Sequence, residues 1–164
     1  MIRMRSNLIT TTIILVLSFA VPVVAGPSDD ALDAFVNRDY ATALRLFRLA
    51  ADQGNANGPF MLGVMYATGQ GIPQNYAEAV KWYHLATDQG SADAQYNLGG
   101  MYATGQGVQQ NYVSAYMWLS LSATLGEQGA IKSRDLVAQR MTPAQIAEAQ
   151  KLAREWKPTT HPPR

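Results

Sequence analysis

The sequence Met65-Tyr-Ala-Thr-Gly-Gln-Gly71 returns letter for letter at residues 101–107. The two copies stand thirty-six residues apart, and the similarity extends well beyond them. When residues 40–75 are aligned with residues 76–111, 20 of the 36 positions are identical. A repeat of this length is typical of a solenoid of helix pairs, in which each pair is too small to bury its own apolar face.

The first helix of each repeat, called A, is predicted over residues 40–52, 76–88 and 112–124. Asn75 stands at the N-cap of the second copy, and Glu78 follows three residues later in the arrangement of a capping box. A glycine follows each A helix, as expected where the chain must adopt a positive φ to leave the helix.

The second helix, called B, is predicted over residues 56–68 and 92–104. Gly63 and Gly99 lie in the middle of these helices, where glycine costs roughly 1 kcal/mol relative to alanine. A glycine at the same place twice therefore predicts close contact with a neighbouring helix. The glycines of the duplicated heptapeptide end helix B and turn the chain into the next unit.

A third unit, residues 112–141, keeps helix A but loses the glycines of helix B, which is predicted over residues 128–140. Thr142, a proline and Gln145 then form a helix start, which predicts a capping helix over residues 143–156.

The N-terminus reads as an export signal. Arg3 and Arg5 precede an apolar run over residues 8–21, and small residues follow at 23–25. This pattern predicts a cleaved secretory signal peptide over residues 1–25. A retained membrane anchor is the alternative, although the run is short for a span of about 20 residues.

The predicted mature domain occupies residues 26–156. It opens with a truncated B helix over 29–36, started by Ser28, and a proline-rich tail over 157–164 is predicted to be disordered. Removing the two signal arginines leaves 11 basic and 12 acidic residues, so no nucleic-acid partner is implied. The chain has no cysteine, which excludes disulfides, thiol catalysis and thiolate metal sites.

The repeated positions resemble a known family. The segment Leu98-Gly99-x-Met101-Tyr102-x-x-Gly105-x-Gly107-Val108, with Ala79-x-x-Trp82, is similar to the Sel-one-like repeat, a relative of the tetratricopeptide repeat. The resemblance covers residues 40–126, and the first unit departs from it at Leu46 and Gly58. It implies an all-α fold, a right-handed superhelix of antiparallel helix pairs, and a role in protein–protein interaction without catalytic residues.

No cofactor, metal or catalytic constellation is recognisable. His84 occupies a position that is polar in all three copies, so it is expected to be exposed. The aromatic residues recur at helical spacing and are expected to form core, although a stripe for ligand stacking is the alternative, with Tyr83 and Trp118 partly exposed.

Equivalent offsets on stacked A helices place polar residues side by side. Arg45 and Lys81 share one position, and Arg48 and His84 share another. These four residues predict a basic, partner-binding face, because solenoids bind along such extended surfaces. A merely solvated charged face is the alternative.

The sequence thus predicts an exported, non-catalytic module that binds a protein or peptide in the bacterial periplasm or outside the cell. One alternative is an envelope enzyme, or an enzyme regulator, acting on peptidoglycan metabolism. Another is a structural subunit that self-associates.

Overall fold

A computed structural model describes residues 27–159. The predicted signal segment, residue 26 and residues 160–164 lie outside this range. The described part contains eight helices and no strand, so it is all-α. The helices are α1 (Pro27–Val36), α2 (Tyr40–Asp52), α3 (Asn57–Thr68), α4 (Tyr76–Asp88), α5 (Ala92–Thr104), α6 (Tyr112–Thr124), α7 (Gln128–Ala138) and α8 (Pro143–Glu155).

The three A helices, now α2, α4 and α6, have the predicted bounds. Four other bounds differ slightly from the predictions. The first helix already begins at Pro27, α3 begins at Asn57, α7 ends at Ala138, and α8 ends at Glu155. The start of α8 is confirmed, because Thr142 and Gln145 form the reciprocal hydrogen bonds of a capping box.

The first three B helices each pack most extensively on the A helix that follows in the chain, giving the pairs α1–α2, α3–α4 and α5–α6, whereas α7 packs most on the preceding α6. The duplicated heptapeptide forms the last turn of the first helix of such a pair and the start of the connection to the second. It is therefore the turn of a tightly packed helical hairpin, and the shorter glycine turns after the A helices connect one hairpin to the next.

Glycine is required twice in each of these hairpin turns. Gly69 and Gly105 are C-caps in the left-handed conformation, with φ of 74° and 78°. Gly71 and Gly107 also have positive φ, and a Cβ there would collide with Tyr40 and with the backbone at residue 76, respectively. The second glycine thus lets the turn approach the first residue of the preceding A helix.

Glutamine side chains secure the same turns. Gln74 Nε2 donates a hydrogen bond to the carbonyl oxygen of Ala67 at 2.7 Å, and Gln110 Nε2 donates to that of Ala103 at 2.8 Å. Each bond satisfies a carbonyl in the last turn of a B helix, where no intrahelical donor remains.

The predicted capping box at Asn75 is half wrong. Asn75 Oδ1 accepts from the Glu78 amide at 3.1 Å, as an N-cap should. However, the backbone N–H of Asn75 donates to the Tyr66 carbonyl oxygen, because the hairpin turn brings that carbonyl within reach. The Glu78 carboxylate pairs with Lys81 instead.

The mid-helix glycines mark close packing, as predicted. A Cβ on Gly63 would lie 2.6 Å from the ring of Tyr83, and a Cβ on Gly99 would lie 2.5 Å from Leu119 Cγ. Gly58, where the family pattern expects alanine, lies against the backbone of α2, so a Cβ there would lie 2.7 Å from the Phe47 carbonyl oxygen. Glycine at this position therefore lets α3 pack directly against the backbone of α2.

Candidate functional site

The candidate site lies on the A helices, beginning with α2. Arg45 and Arg48 are exposed and line a shallow depression. Leu49, which is 41% exposed, and Asp52 lie in the same depression. Since these residues are three to four positions apart, they share one face of the helix. The surface therefore combines two guanidinium groups with an exposed apolar side chain.

Lys81 is the equivalent of Arg45 on α4. Its side chain is 71% exposed, and its ammonium group forms an ion pair with Glu78 one turn earlier. An exposed pair of this kind contributes little to stability. Lys81 therefore remains accessible to a partner, with its charge partly balanced by its neighbour.

His84 does not join the exposed cations, and the prediction of an exposed histidine is wrong. Its ring packs edge-on against Trp118 at 5.5 Å between ring centroids and against Tyr102 at 6.3 Å. The Tyr102 hydroxyl lies 3.4 Å from His84 Nε2. Burial lowers the pKa of His84, and the nearby Asp88 only partly offsets this effect. The imidazole is therefore neutral at pH 7.

The alternative of an aromatic stripe with Tyr83 and Trp118 partly exposed is wrong, since they are only 3% and 6% exposed. Tyr83 fills the space above Gly63, and its burial raises the pKa of its hydroxyl to about 12. Trp118 has the His84 ring on one side and the Trp156 ring on another. The core interpretation of the aromatic residues therefore holds for both.

The sequence did not indicate the contacts made beyond α8. The ring centroids of Trp156 and Trp118 lie 5.5 Å apart at an interplanar angle of 72°, and Thr159 Oγ1 donates to Asp88 Oδ1 at 3.1 Å. The apolar spacing of Ala149, Ala153 and Trp156 indicates that Trp156 packs against the repeats, but it does not identify the residues that Trp156 contacts. Trp156 and Thr159 lie outside the repeats, so periodicity could not place them.

A separate cleft of about 260 Å³ lies where α5 meets its neighbours. Its polar lining consists of hydroxyl and amide groups, and neither a carboxylate nor an imidazole reaches it. The residues lining it are Ala67, Tyr76, Tyr83, Tyr96, Asn97, Gly100, Met101, Thr104, Gln106, Leu119 and Ser133. Across residues 27–159 there is no cluster of three potential metal ligands, and none of the helices there is long and apolar enough to cross a bilayer.

Comparison with known families matches the Sel1 repeat over residues 32–55, 60–91 and 92–127, more than half of the chain. The chain belongs to the Sel1 repeat family. Each match spans a B helix and the A helix after it, which is the hairpin that packs most tightly in the structure. Sel1 repeat proteins are typically protein–protein interaction modules.

Two solved structures share this fold. One is a protective antigen of uropathogenic Escherichia coli with an SLR fold, 26% identical, with a TM-score of 0.74. The other is a Sel1 repeat protein from Oxalobacter formigenes, 22% identical, with a TM-score of 0.61. Each alignment covers 79% of this chain, but only 28% and 58% of those proteins, respectively. Comparison with curated proteins finds no match.

Proposed function

We propose that this Sel1 repeat protein is an exported, non-catalytic scaffold that binds another protein or peptide of the bacterial envelope through its A helices. The observation that carries the proposal is the exposed basic and apolar surface of α2, formed by Arg45, Arg48 and Leu49. Lys81, exposed on α4, occupies the repeat position of Arg45, and His84 occupies that of Arg48 with its ring packed against Trp118.

The chemistry of this surface favours an acidic segment with an apolar side chain. Guanidinium groups bind carboxylates in a bidentate manner, and Leu49 offers apolar contact between them. Export is supported by the signal pattern over residues 1–25. It is also in keeping with the description of one structural relative as a protective antigen.

Charge reversal tests the basic surface. The double variant Arg45→Glu, Lys81→Glu is compared with the unaltered chain in affinity capture from an envelope extract, read by mass spectrometry. We expect the variant to lose the partners that the unaltered chain retains. Lys132→Glu, Arg140→Glu makes the same charge change at exposed residues near the other end of the repeats, and it should retain them. Equal capture by all three chains would remove the α2 surface from consideration.

The alternative of a peptidoglycan enzyme needs an acid/base pair or a nucleophile with its base. The cleft beside α5 supplies neither of these among its lining residues, so nothing there favours this alternative.

A further inference from the structure

The chain leaves α8 in an extended conformation. Trp156 closes the helix by donating its amide to the Leu152 carbonyl oxygen at 2.9 Å, with φ of −66° and ψ of 137°. Residues 157–159 continue outside any helix with exposed side chains. We call residues 156–159 the C-terminal strap.

The strap connects two A helices. It contacts α6 through the Trp156 ring, which lies against Trp118, and it contacts α4 through the hydrogen bond from Thr159 to Asp88. Trp156 has extended backbone angles, and three residues can reach at most about 10 Å. The strap therefore bridges α6 and α4 within a few residues.

The receiving surface lies at the repeat positions that follow the basic surface of α2 by thirty-six residues. His84 and Asp88 occupy on α4 the repeat positions that Arg48 and Asp52 occupy on α2. A chain bound along these positions would meet the aromatic rings of His84 and Trp118 first and the arginines one repeat away.

Few interactions hold the strap beyond its first residue. Trp156 is partly buried against the core cluster that contains Trp118, whereas one hydrogen bond, from Thr159 to Asp88, attaches the end of the strap, and Lys157 and Pro158 remain exposed. Pro158 favours an extended backbone conformation at Lys157, which is the conformation that a bound peptide would need. Such a segment can be displaced by another segment of the same chemistry.

We propose that the surface formed by His84, Asp88 and Trp118 binds extended protein segments that carry a tryptophan and, three residues later, a hydroxyl donor. The chain's own strap fills this surface in cis and competes with such partners. This inference rests on the proposed function, because it assigns part of the partner-binding face.

The test uses a fluorescein-labelled peptide with the sequence of residues 153–159 and the full-length chain, with binding read by fluorescence anisotropy. A tethered segment competes at an effective concentration in the mM range, so the unaltered chain should bind the peptide weakly. Trp156→Ala weakens the strap, and we expect it to bind the peptide at least tenfold more tightly. The double variant Trp156→Ala, Asp88→Ala should bind the peptide severalfold more weakly than Trp156→Ala alone.

Two controls separate the surface from general effects. Leu152→Ala alters an exposed residue at the same end of α8 and should behave like the unaltered chain. A peptide with alanine in place of tryptophan should bind none of the chains. Where Trp156→Ala impairs folding, Thr159→Ala releases only the hydrogen bond and should still raise peptide affinity severalfold.

Equal peptide affinity for the strap variants and the unaltered chain would overturn the inference. So would binding that does not depend on the tryptophan of the peptide. Neither result would affect the interpretation of the capture experiment at Arg45 and Lys81, because the contacts of the strap involve Trp118 and Asp88 instead. If the variant Arg45→Glu, Lys81→Glu loses its captured partners but still binds the strap peptide, the two surfaces act separately.

Discussion

Gly99 and Gly100 are neighbours on α5 with opposite surroundings. A Cβ on Gly99 would lie 2.5 Å from Leu119 Cγ and 3.3 Å from the Ala115 carbonyl oxygen, whereas a Cβ on Gly100 would meet nothing within 4 Å. Gly99→Ala should therefore destabilise the fold by about 1–3 kcal/mol through overpacking. Gly100→Ala should stabilise it by about 0.5–1 kcal/mol, since it restores helix propensity.

Urea unfolding monitored by circular dichroism measures both changes, and each variant is the other's control. Equal effects of the two substitutions would show that α5 and α6 do not approach as closely as the structure places them.

His84 should make stability depend on pH. Its pKa lies below the ordinary 6.5 in the folded state, chiefly because of burial, so the unfolded chain binds the proton more readily. Stability should thus be highest where the imidazole is neutral in both states and should fall as pH falls below about 6.5. His84→Gln should reduce that loss, which urea unfolding at pH 7.5 and pH 5.5 would detect.

The His84 comparison has an internal reference, because every other titratable group, including His161, is retained in both chains. An identical loss of stability in the variant and the unaltered chain would assign the pH dependence to other groups.

At the scale of single elements, the hairpin turns carry the repeat. Gln110 donates to the Ala103 carbonyl oxygen at the end of α5, and Gln109 beside it is exposed. Gln110→Ala should lower the free energy of unfolding by about 0.5–1.5 kcal/mol, the net contribution of one hydrogen bond. Gln109→Ala should change it by less than about 0.5 kcal/mol.

Thermal and urea unfolding of the two single variants would measure this difference. If both substitutions proved neutral, the glutamine would be incidental to the turn, and its recurrence at Gln74 would need another explanation.

Most helix bounds could be predicted from the sequence, because caps and glycines recur at the same offsets. The hydrogen bonds within the turns were harder to predict. Glu78 fits a capping box by spacing, yet the backbone N–H of Asn75 donates its hydrogen bond to the Tyr66 carbonyl oxygen instead. Sequence spacing identifies which groups can form a hydrogen bond within one helix turn. It does not reveal a competing acceptor that only the tertiary fold brings close.

At the scale of the whole molecule, the stacking of helices determined which predicted site residues stay exposed. Arg45, Arg48 and Lys81 are exposed as expected, whereas His84 is covered. The polar equivalents of His84 in the other repeats suggested exposure, but the Trp118 ring of the next repeat lies against it.

The strap shows a second limit of reasoning from repeats. Trp156 and Thr159 follow the last helix and have no counterparts in the period, so their contacts with Trp118 and Asp88 follow only from the folded chain. The part of the surface that differs from repeat to repeat, or lies outside the repeats, is also the part to which we assign binding.

Hydroxyl-radical footprinting of the chain, free and in complex with a captured partner, tests the central claim most directly. Leu49 on α2 is 41% exposed, while Ile131 and Leu136 on α7 are 47% and 54% exposed, so all three react in the free chain. We predict that the partner suppresses oxidation of Leu49 and leaves Ile131 and Leu136 unchanged. Protection of the α7 residues with undiminished oxidation of Leu49 would contradict binding through the A helices.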